Sequence, residues 1–477
     1  MKKSLLFLLI YSFIGLSYSQ SVDNIPSLGD ASSGSISLSG EYQLGRLWLS
    51  LFRSSVNEYD DPITKSYVRD FIYRLSETSE VRDRRYEFIV IEDASINAFA
   101  APGGIIGINK GMFLKTESEG EFASVMAHEL AHLSQRHYAR SQNQSSPLAN
   151  ALILLGSIAA AVASSNPQAL FIGPALIQQL SINFTRSNEK EADRIGFRNL
   201  VNAGFDPSSQ SKMFQKLQKK YRGLNDEAYS YLMSHPLPKE RITDARIRER
   251  GIPKNKVFRN SLEFYLIKSR AEVSESKNLE SLKNQYRQNL SRSKDKNIIT
   301  SSLYGLSLAL KKQKKFIESF KIARELVDKN PFNLVLQTNI LEIHLTSENS
   351  FEAVSLGENL LRINNGNYSI SFYLAKAYLL NNEPIKAEKT LLKMSEDNPQ
   401  DPSIWYILAE AQGLSGNILG LHRSRAEFFI LTGRYDAAIF QLREALKLSQ
   451  NFFEIRESII SKLEDIFETK RALKNIS

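Results

Sequence analysis

The sequence predicts a mainly α, α+β chain in two parts: an N-terminal unit containing a small β-sheet, then an all-helical solenoid. Three observations predict this. Short β-rich runs are confined to residues 86–109. A helical segment, His128-Glu129-Leu130-Ala131-His132, follows them directly. From about residue 300 onward, apolar and small residues recur every 34 positions. A chain of 477 residues also exceeds what one ordinary core accommodates.

The first segment, 1–19, reads as an export signal. Lys2 and Lys3 give a positive start, and Leu5 to Leu16 form a short apolar core. Small residues at Ser17 and Ser19 fit cleavage before Gln20. The alternative is an uncleaved anchor. There is no cysteine, so disulfides, thiolate nucleophiles, Cys-based metal sites and a lipoprotein anchor are all excluded. Any metal ligands must be His, Asp or Glu. The formal charge of +9 would favour acidic surfaces, but no nucleic-acid motif accompanies it, and no nucleic-acid partner is expected.

Residues 20–255 form the first globular unit. Its entry segment, to about residue 40, is rich in Ser and Gly. Tyr86 to Ile91, Asn97 to Ala101 and Ile105 to Asn109 read as strands, with the turn Pro102-Gly103-Gly104 between the last two. A helix is expected from Glu119 to about Tyr138, its first turn suited to Glu119 and Glu121. The 45 residues between Arg140 and Arg186 carry no charge. Within them, 148–182 reads as a buried hairpin over the active site. Two alternatives stand beside that reading: a lid making peripheral contact with a membrane, or a segment that spans one.

Residues 256–299 are expected to be connecting helices, 300–455 the repeat domain and 456–477 a capping helix and tail. Leu306, Ile340, Leu374 and Leu408 lie 34 apart, each followed by Ser307, Leu341, Ala375 or Ala409. This is the tetratricopeptide period: a helix pair cannot bury its faces alone, so units stack, with small residues where helices approach. The segment Gly433 to Ala438 carries the second-helix signature half a period early, so the helix around His422 to Phe429 serves two units.

His128 and His132, four apart on a helix, leave the same face and can bind one metal ion. Glu129 can then take a proton from a metal-bound water. The apolar flanks, among them Val125, Met126, Leu130 and Leu133, predict a buried helix whose histidines need partners. Glu189 and Asp193 are again four apart. Glu189 is the expected third ligand, and Asp193 the acceptor that fixes the tautomer of a ligand histidine. Glu191 points off that face. His137, nine residues after His128, falls on the opposite side of a continuous helix and reads as structural. An N/O donor set fits one Zn2+ per chain, though other divalent ions accept it too.

His-Glu-x-x-His followed by Glu-x-x-x-Asp resembles the gluzincin arrangement. Asn97-Ala98-Phe99-Ala100, Ser124 to His132 and Glu191-Ala192-Asp193-Arg194-Ile195-Gly196 resemble the M48 peptidases more specifically. The resemblance implies a zincin-type metalloprotease domain and a zinc metalloendopeptidase exported to the periplasm. It extends to Ser234-His235-Pro236-Leu237-Pro238, with Arg241 following. There it implies that His235 fills the fourth metal position at rest or stabilises an oxyanion. It also implies that the extended segment Ala98 to Asn109 pairs with substrate backbone. Members with this domain order act in quality control and assembly of outer-membrane β-barrel proteins, with chaperone-like activity. The implied partners are misfolded or unfolded outer-membrane proteins, with docking to the β-barrel assembly machinery through the repeats. Two rival expectations remain: a mainly non-proteolytic, self-inhibited assembly factor, and a membrane-embedded M48 protease.

Overall fold

The computed structural model describes residues 37–141, 186–222, 231, 235–237, 239–252 and 258–474. The expected export signal and the uncharged stretch 148–182 lie outside the described residues. Among the described residues, no helix is long and apolar enough to cross a membrane.

The first unit begins with α1 (Leu38–Ser55) and α2 (Pro62–Ser76), followed by β1 (Glu87–Ile91), β2 (Ala98–Ala101) and β3 (Ile105–Asn109). The sheet order is β1-β3-β2. β3 runs parallel to β1 and antiparallel to β2, with Ala100 opposite Ile106, so among the described residues β2 is an edge strand. The turn between β2 and β3 holds Gly103 and Gly104 at φ 75° and 77°, which a side chain would strain. Trp48 and Phe52 of α1 stack at 4.7 Å and meet Phe99 of β2 edge-on, covering one face of the sheet.

Helices α3 (Gly111–Lys115), α4 (Glu119–Ser134) and α5 (His137–Ser141) follow, then α6 (Arg186–Asn202), α7 (Ser208–Arg222) and α8 (Lys239–Arg250). Ser118 caps α4 by accepting from the Glu121 N–H, and from Glu119 to His132 every residue of the helix is buried. The helix stops at Ser134 rather than reaching Tyr138. Arg136 adopts φ 47°, and the chain restarts as α5. A non-glycine residue in that region costs about 1–2 kcal/mol. Here it is held by Glu41 of α1, 2.9 Å from the Arg136 guanidinium.

The second unit consists of helix pairs: α9 (Leu262–Glu275) and α10 (Leu279–Arg292), α11 (Lys296–Lys312) and α12 (Phe316–Lys329), α13 (Leu334–Thr346) and α14 (Ser350–Ile363), α15 (Tyr368–Leu380) and α16 (Pro384–Asp397). Then come α17 (Pro402–Ser415), α18 (Ile418–Leu431), α19 (Tyr435–Leu448) and α20 (Phe453–Lys474). Leu306, Ile340, Leu374 and Leu408 are all buried at the stacking seam. Ser307 and Ser319 are fully buried because each hydroxyl bonds the other residue's carbonyl, at 2.9 and 2.8 Å. The turns within pairs place Lys314, Glu348, Asn382 and Gly416 in the left-handed region, 34 residues apart each. Gly433 repeats it only 17 later, where the half-period slip was expected.

The two units share one hydrophobic core, which runs from Phe71, Phe122 and Leu130 through Phe264 to Phe372 and Leu408. Polar contacts follow the same seam. Glu119, at the start of α4, accepts from the backbone N–H and hydroxyl of Ser261 before α9, both at 2.6 Å. Asp61 caps α2 and receives the buried Arg270 guanidinium at 2.6 and 2.7 Å. Arg270 also meets Glu342 at 3.0 Å and the Tyr304 hydroxyl at 2.9 Å. Lys65 pairs with Asp401 at 3.2 Å. Farther along, Ser50 and Tyr435 share a hydrogen bond of 2.9 Å.

Arg270→Ala should leave Asp61 and Glu342 buried without their shared cation and destabilise the protein by about 3–5 kcal/mol. Urea unfolding followed by tryptophan fluorescence reads both units, since Trp48 and Trp405 lie one in each. A change below about 1 kcal/mol would show that the seam does not depend on this cluster.

Candidate metal centre

The site is built where α6 crosses α4. Gly196 of α6 makes the crossing: a Cβ there would sit 2.9 Å from the Ala127 carbonyl oxygen and 3.0 Å from the His128 Cα. The close approach brings Glu189 and Asp193, on one face of α6, against His128 and His132 on one face of α4. The segment before α8 adds His235. All five side chains, and Glu129 with them, are at most 3% exposed.

Among the described residues, His128, His132, Glu189 and His235 offer ligand atoms within 4.8 Å of one another. His128 Nε2 lies 3.0 Å from His132 Nε2 and 3.4 Å from His235 Nδ1. Glu189 Oε1 lies 3.3 Å from His132 Nε2 and 3.0 Å from His235 Nδ1, and Glu189 Oε2 lies 3.5 Å from His128 Nε2. Four donors bound tetrahedrally at about 2.0–2.1 Å would be spaced about 3.3–3.4 Å apart. The donor set therefore fits one four-coordinate ion of borderline softness. Lone pairs on two facing imidazole nitrogens also have little reason to converge in a dry pocket without a shared cation or proton.

The surroundings orient these groups. His128 Nδ1 lies 3.1 Å from Asp193 Oδ1. Arg241 of α8 grips both Asp193 oxygens at 2.7 and 2.8 Å, reaches Glu189 Oε2 at 2.7 Å and donates to the Pro236 carbonyl at 2.7 Å. One guanidinium thus ties the carboxylates of α6 to the segment bearing His235. Tyr231 packs its ring 4.8 Å from that of His235. Glu129 stands beside the set, its Oε1 3.5 Å from His235 Nε2. A cavity of about 120 Å³ opens between β2 and the end of α4, lined by Val81, Ala100, Pro102, His132, Leu133 and Tyr138 among others.

Charge coupling is strong. Burial opposes it, but hydrogen bonds to Asp193 and Glu189 hold the His128 imidazolium up to about 10. Burial, together with the neighbouring His128, pushes His132 well below its ordinary value. Against burial, His128 and Arg241 draw Asp193 down to about 2. Burial raises the Glu129 carboxyl, although His235 and His128 pull it back.

The structure brings all six predicted site residues to one point. It corrects the expectation for His137. The break at Arg136 folds His137 back, fully buried, with Nδ1 2.9 Å from His132 Nδ1. Helical spacing failed because the helix ends first. The motif around His235 includes Arg241 without indicating its hold on Asp193, and Tyr231 has no local pattern that marks it.

Similarity to known proteins agrees with this geometry. The profile of peptidase family M48 matches residues 62–249, which include all six site residues, and a tetratricopeptide-repeat profile matches 351–411. The chain belongs to peptidase family M48 and is a metalloendopeptidase with tetratricopeptide repeats. It is 30% identical to the beta-barrel assembly-enhancing protease of Escherichia coli (strain K12), with 98% of each chain covered. The Yersinia pestis protein of that name is 31% identical, over 89% of this chain and 87% of the relative. The mitochondrial metalloendopeptidase OMA1 of Schizosaccharomyces pombe is 27% identical, over 53% of this chain and 72% of the relative.

A ligand histidine must be neutral, whereas, against burial, hydrogen bonds to Asp193 and Glu189 raise the His128 imidazolium to about 10. Zinc titrated into metal-free protein at pH 8 should therefore release about one proton, and progressively less as the pH rises through 10. Calorimetry in two buffers of different ionisation enthalpy measures this. Heats that do not depend on the buffer would contradict it.

Proposed function

We propose that this chain is a periplasmic, zinc-dependent endopeptidase with chaperone-like activity, serving the quality control and assembly of outer-membrane β-barrel proteins. The convergence of four donor atoms within 4.8 Å of one another, beside the buried Glu129 carboxylate, carries the catalytic part of this reading. The β-barrel role rests on likeness along 98% of the chain to proteins named for it.

His128, His132 and Glu189 would hold the zinc, with His235 as a fourth ligand at rest. A zinc ion held there would supply Lewis-acid polarisation of the scissile carbonyl and would lower the pKa of a coordinated water towards neutrality. Glu129 takes the water's proton and returns it to the leaving amine, a task suited to a carboxyl whose pKa burial has raised. Asp193 keeps the His128 proton on Nδ1, leaving Nε2 free to ligate. Substrate backbone adds to the open edge of β2, close to Glu129, and the cavity beside His132 receives one of its side chains. The repeats hold misfolded outer-membrane proteins or dock to the assembly machinery.

A second reading is favoured by one observation. His235 directs Nδ1 into the donor set and Nε2 towards Glu129, the space an attacking water needs. The resting enzyme is then closed, and the protein acts mainly as an assembly factor until His235 withdraws. Once displaced, the same imidazole can donate to the oxyanion.

Glu129→Gln should keep its zinc while casein cleavage falls by about 10²–10⁴-fold. Full zinc with undiminished cleavage would remove Glu129 from the mechanism. His235→Ala should cleave casein faster than a latent wild type, and no gain would rule out closure by this histidine.

A further inference from the structure

Beyond the ligand set lies a second line of buried polar groups on the far side of His132. His132 directs Nε2 towards the other donors, 3.0 Å from His128 Nε2 and 3.3 Å from Glu189 Oε1. Its Nδ1 faces the opposite way and lies 2.9 Å from Nδ1 of His137. His137 in turn sets Nε2 3.1 Å from Glu191 Oε2, and Arg140 reaches the same oxygen at 3.0 Å. His137 is fully buried, while Glu191 is about a quarter exposed.

We propose that His137 and Glu191 are positioning residues that fix the tautomer and ring orientation of the metal ligand His132. One placement of the protons satisfies these contacts. His132 must offer a lone pair at Nε2, so its proton sits on Nδ1 and is donated to His137 Nδ1. His137 accepts there and carries its own proton on Nε2, which it donates to the Glu191 carboxylate. Arg140 holds that carboxylate in place. The chain runs His132, His137, Glu191, Arg140, and every link has hydrogen-bonding geometry.

The two helix-borne histidines are therefore oriented by different means. His128 meets the carboxylate of Asp193 directly at 3.1 Å. His132 meets a neutral imidazole, with the carboxylate one step farther out. A neutral acceptor raises the basicity of its ligand less than a carboxylate does, so the His132 arm is the softer of the two. The arrangement depends on the left-handed turn at Arg136, since a continuous helix would carry His137 to the other face. The Arg136–Glu41 pair that holds this turn reaches back to α1 and lies outside the ligand set. Helix α5 thus serves the metal centre although it supplies no ligand to it.

The inference rests on the metal-binding reading of His132, and the experiment separates the two. Zinc affinity is measured by competition with a chromophoric chelator on the full chain, for wild type, His132→Ala, His137→Leu, His137→Asn and Glu191→Leu. Circular dichroism of each metal-free variant reports folding. His132→Ala should lose stoichiometric binding; wild-type-like affinity in that variant would overturn the ligand assignment itself. His137→Leu should bind zinc about 10–100-fold more weakly. His137→Asn places an amide oxygen where Nδ1 stood and should recover most of that loss. Glu191→Leu, at the partly exposed end, should weaken binding several-fold without unfolding the protein. If His137→Leu does not fold, the Asn and Glu191 variants carry the test. Unchanged affinity in Glu191→Leu and His137→Leu would overturn the positioning role. So would a folded His137→Asn that binds no better than His137→Leu, because the leucine's loss would then reflect packing.

Discussion

The grip of Arg241 on the α6 carboxylates is the interaction on which the centre depends. Glu129, Glu189 and Asp193 are each almost completely buried against the same histidines. Three carboxylates in a dry pocket are unfavourable unless cations meet them. Arg241 supplies one permanent charge, bidentate to Asp193 and in contact with Glu189. The histidines and a bound metal supply the rest. Because Arg241 also holds the Pro236 carbonyl, the balance of charge in the pocket and the position of His235 are mechanically linked. Any movement of the His235 segment must be accommodated by the guanidinium that keeps Asp193 oriented towards His128.

The scaffold around this point is continuous rather than modular. Helix α4 carries His128, Glu129 and His132, and its first residue, Glu119, is hydrogen-bonded to Ser261 at the entry to the helical pairs. Helix α2 packs against α4 and is tied by Asp61 to Arg270 of α9. The residues between the catalytic unit and the first recurring leucine therefore do more than connect. Helices α9 and α10 join the stack, and α9 contributes Phe264, Ile267 and Ala271 to the shared core. Packed side chains and a few buried polar contacts join the repeats to α4 and α2.

What was legible in the sequence was whatever repeats locally. The His-Glu-x-x-His spacing, the Glu189–Asp193 spacing and the 34-residue period each follow from helix geometry, and each appears in the structure as side chains sharing a face. The three strands were readable for the same reason, with bounds within a residue or so. What was not legible depends on contacts between distant positions. Arg270 looks like an ordinary surface arginine until the fold buries it beside Asp61, and the motif that contains Arg241 does not say that its guanidinium grips Asp193. The left-handed turn at Arg136 has no glycine to announce it, and it is stabilised by Glu41, ninety-five positions earlier. That one turn decided the position of His137, which a continuous helix would have placed on the wrong side.

In the resting chain, three imidazoles and one carboxylate would close around a single ion. X-ray absorption at the zinc edge of the loaded protein tests it most directly. The expected result is one zinc per chain with three nitrogen ligands from histidine and one carboxylate oxygen, all at about 2.0–2.1 Å. In His235→Ala, one imidazole should be replaced by a light-atom ligand such as water. A first shell with two imidazoles in the wild type, unchanged by that substitution, would contradict the closed four-donor centre.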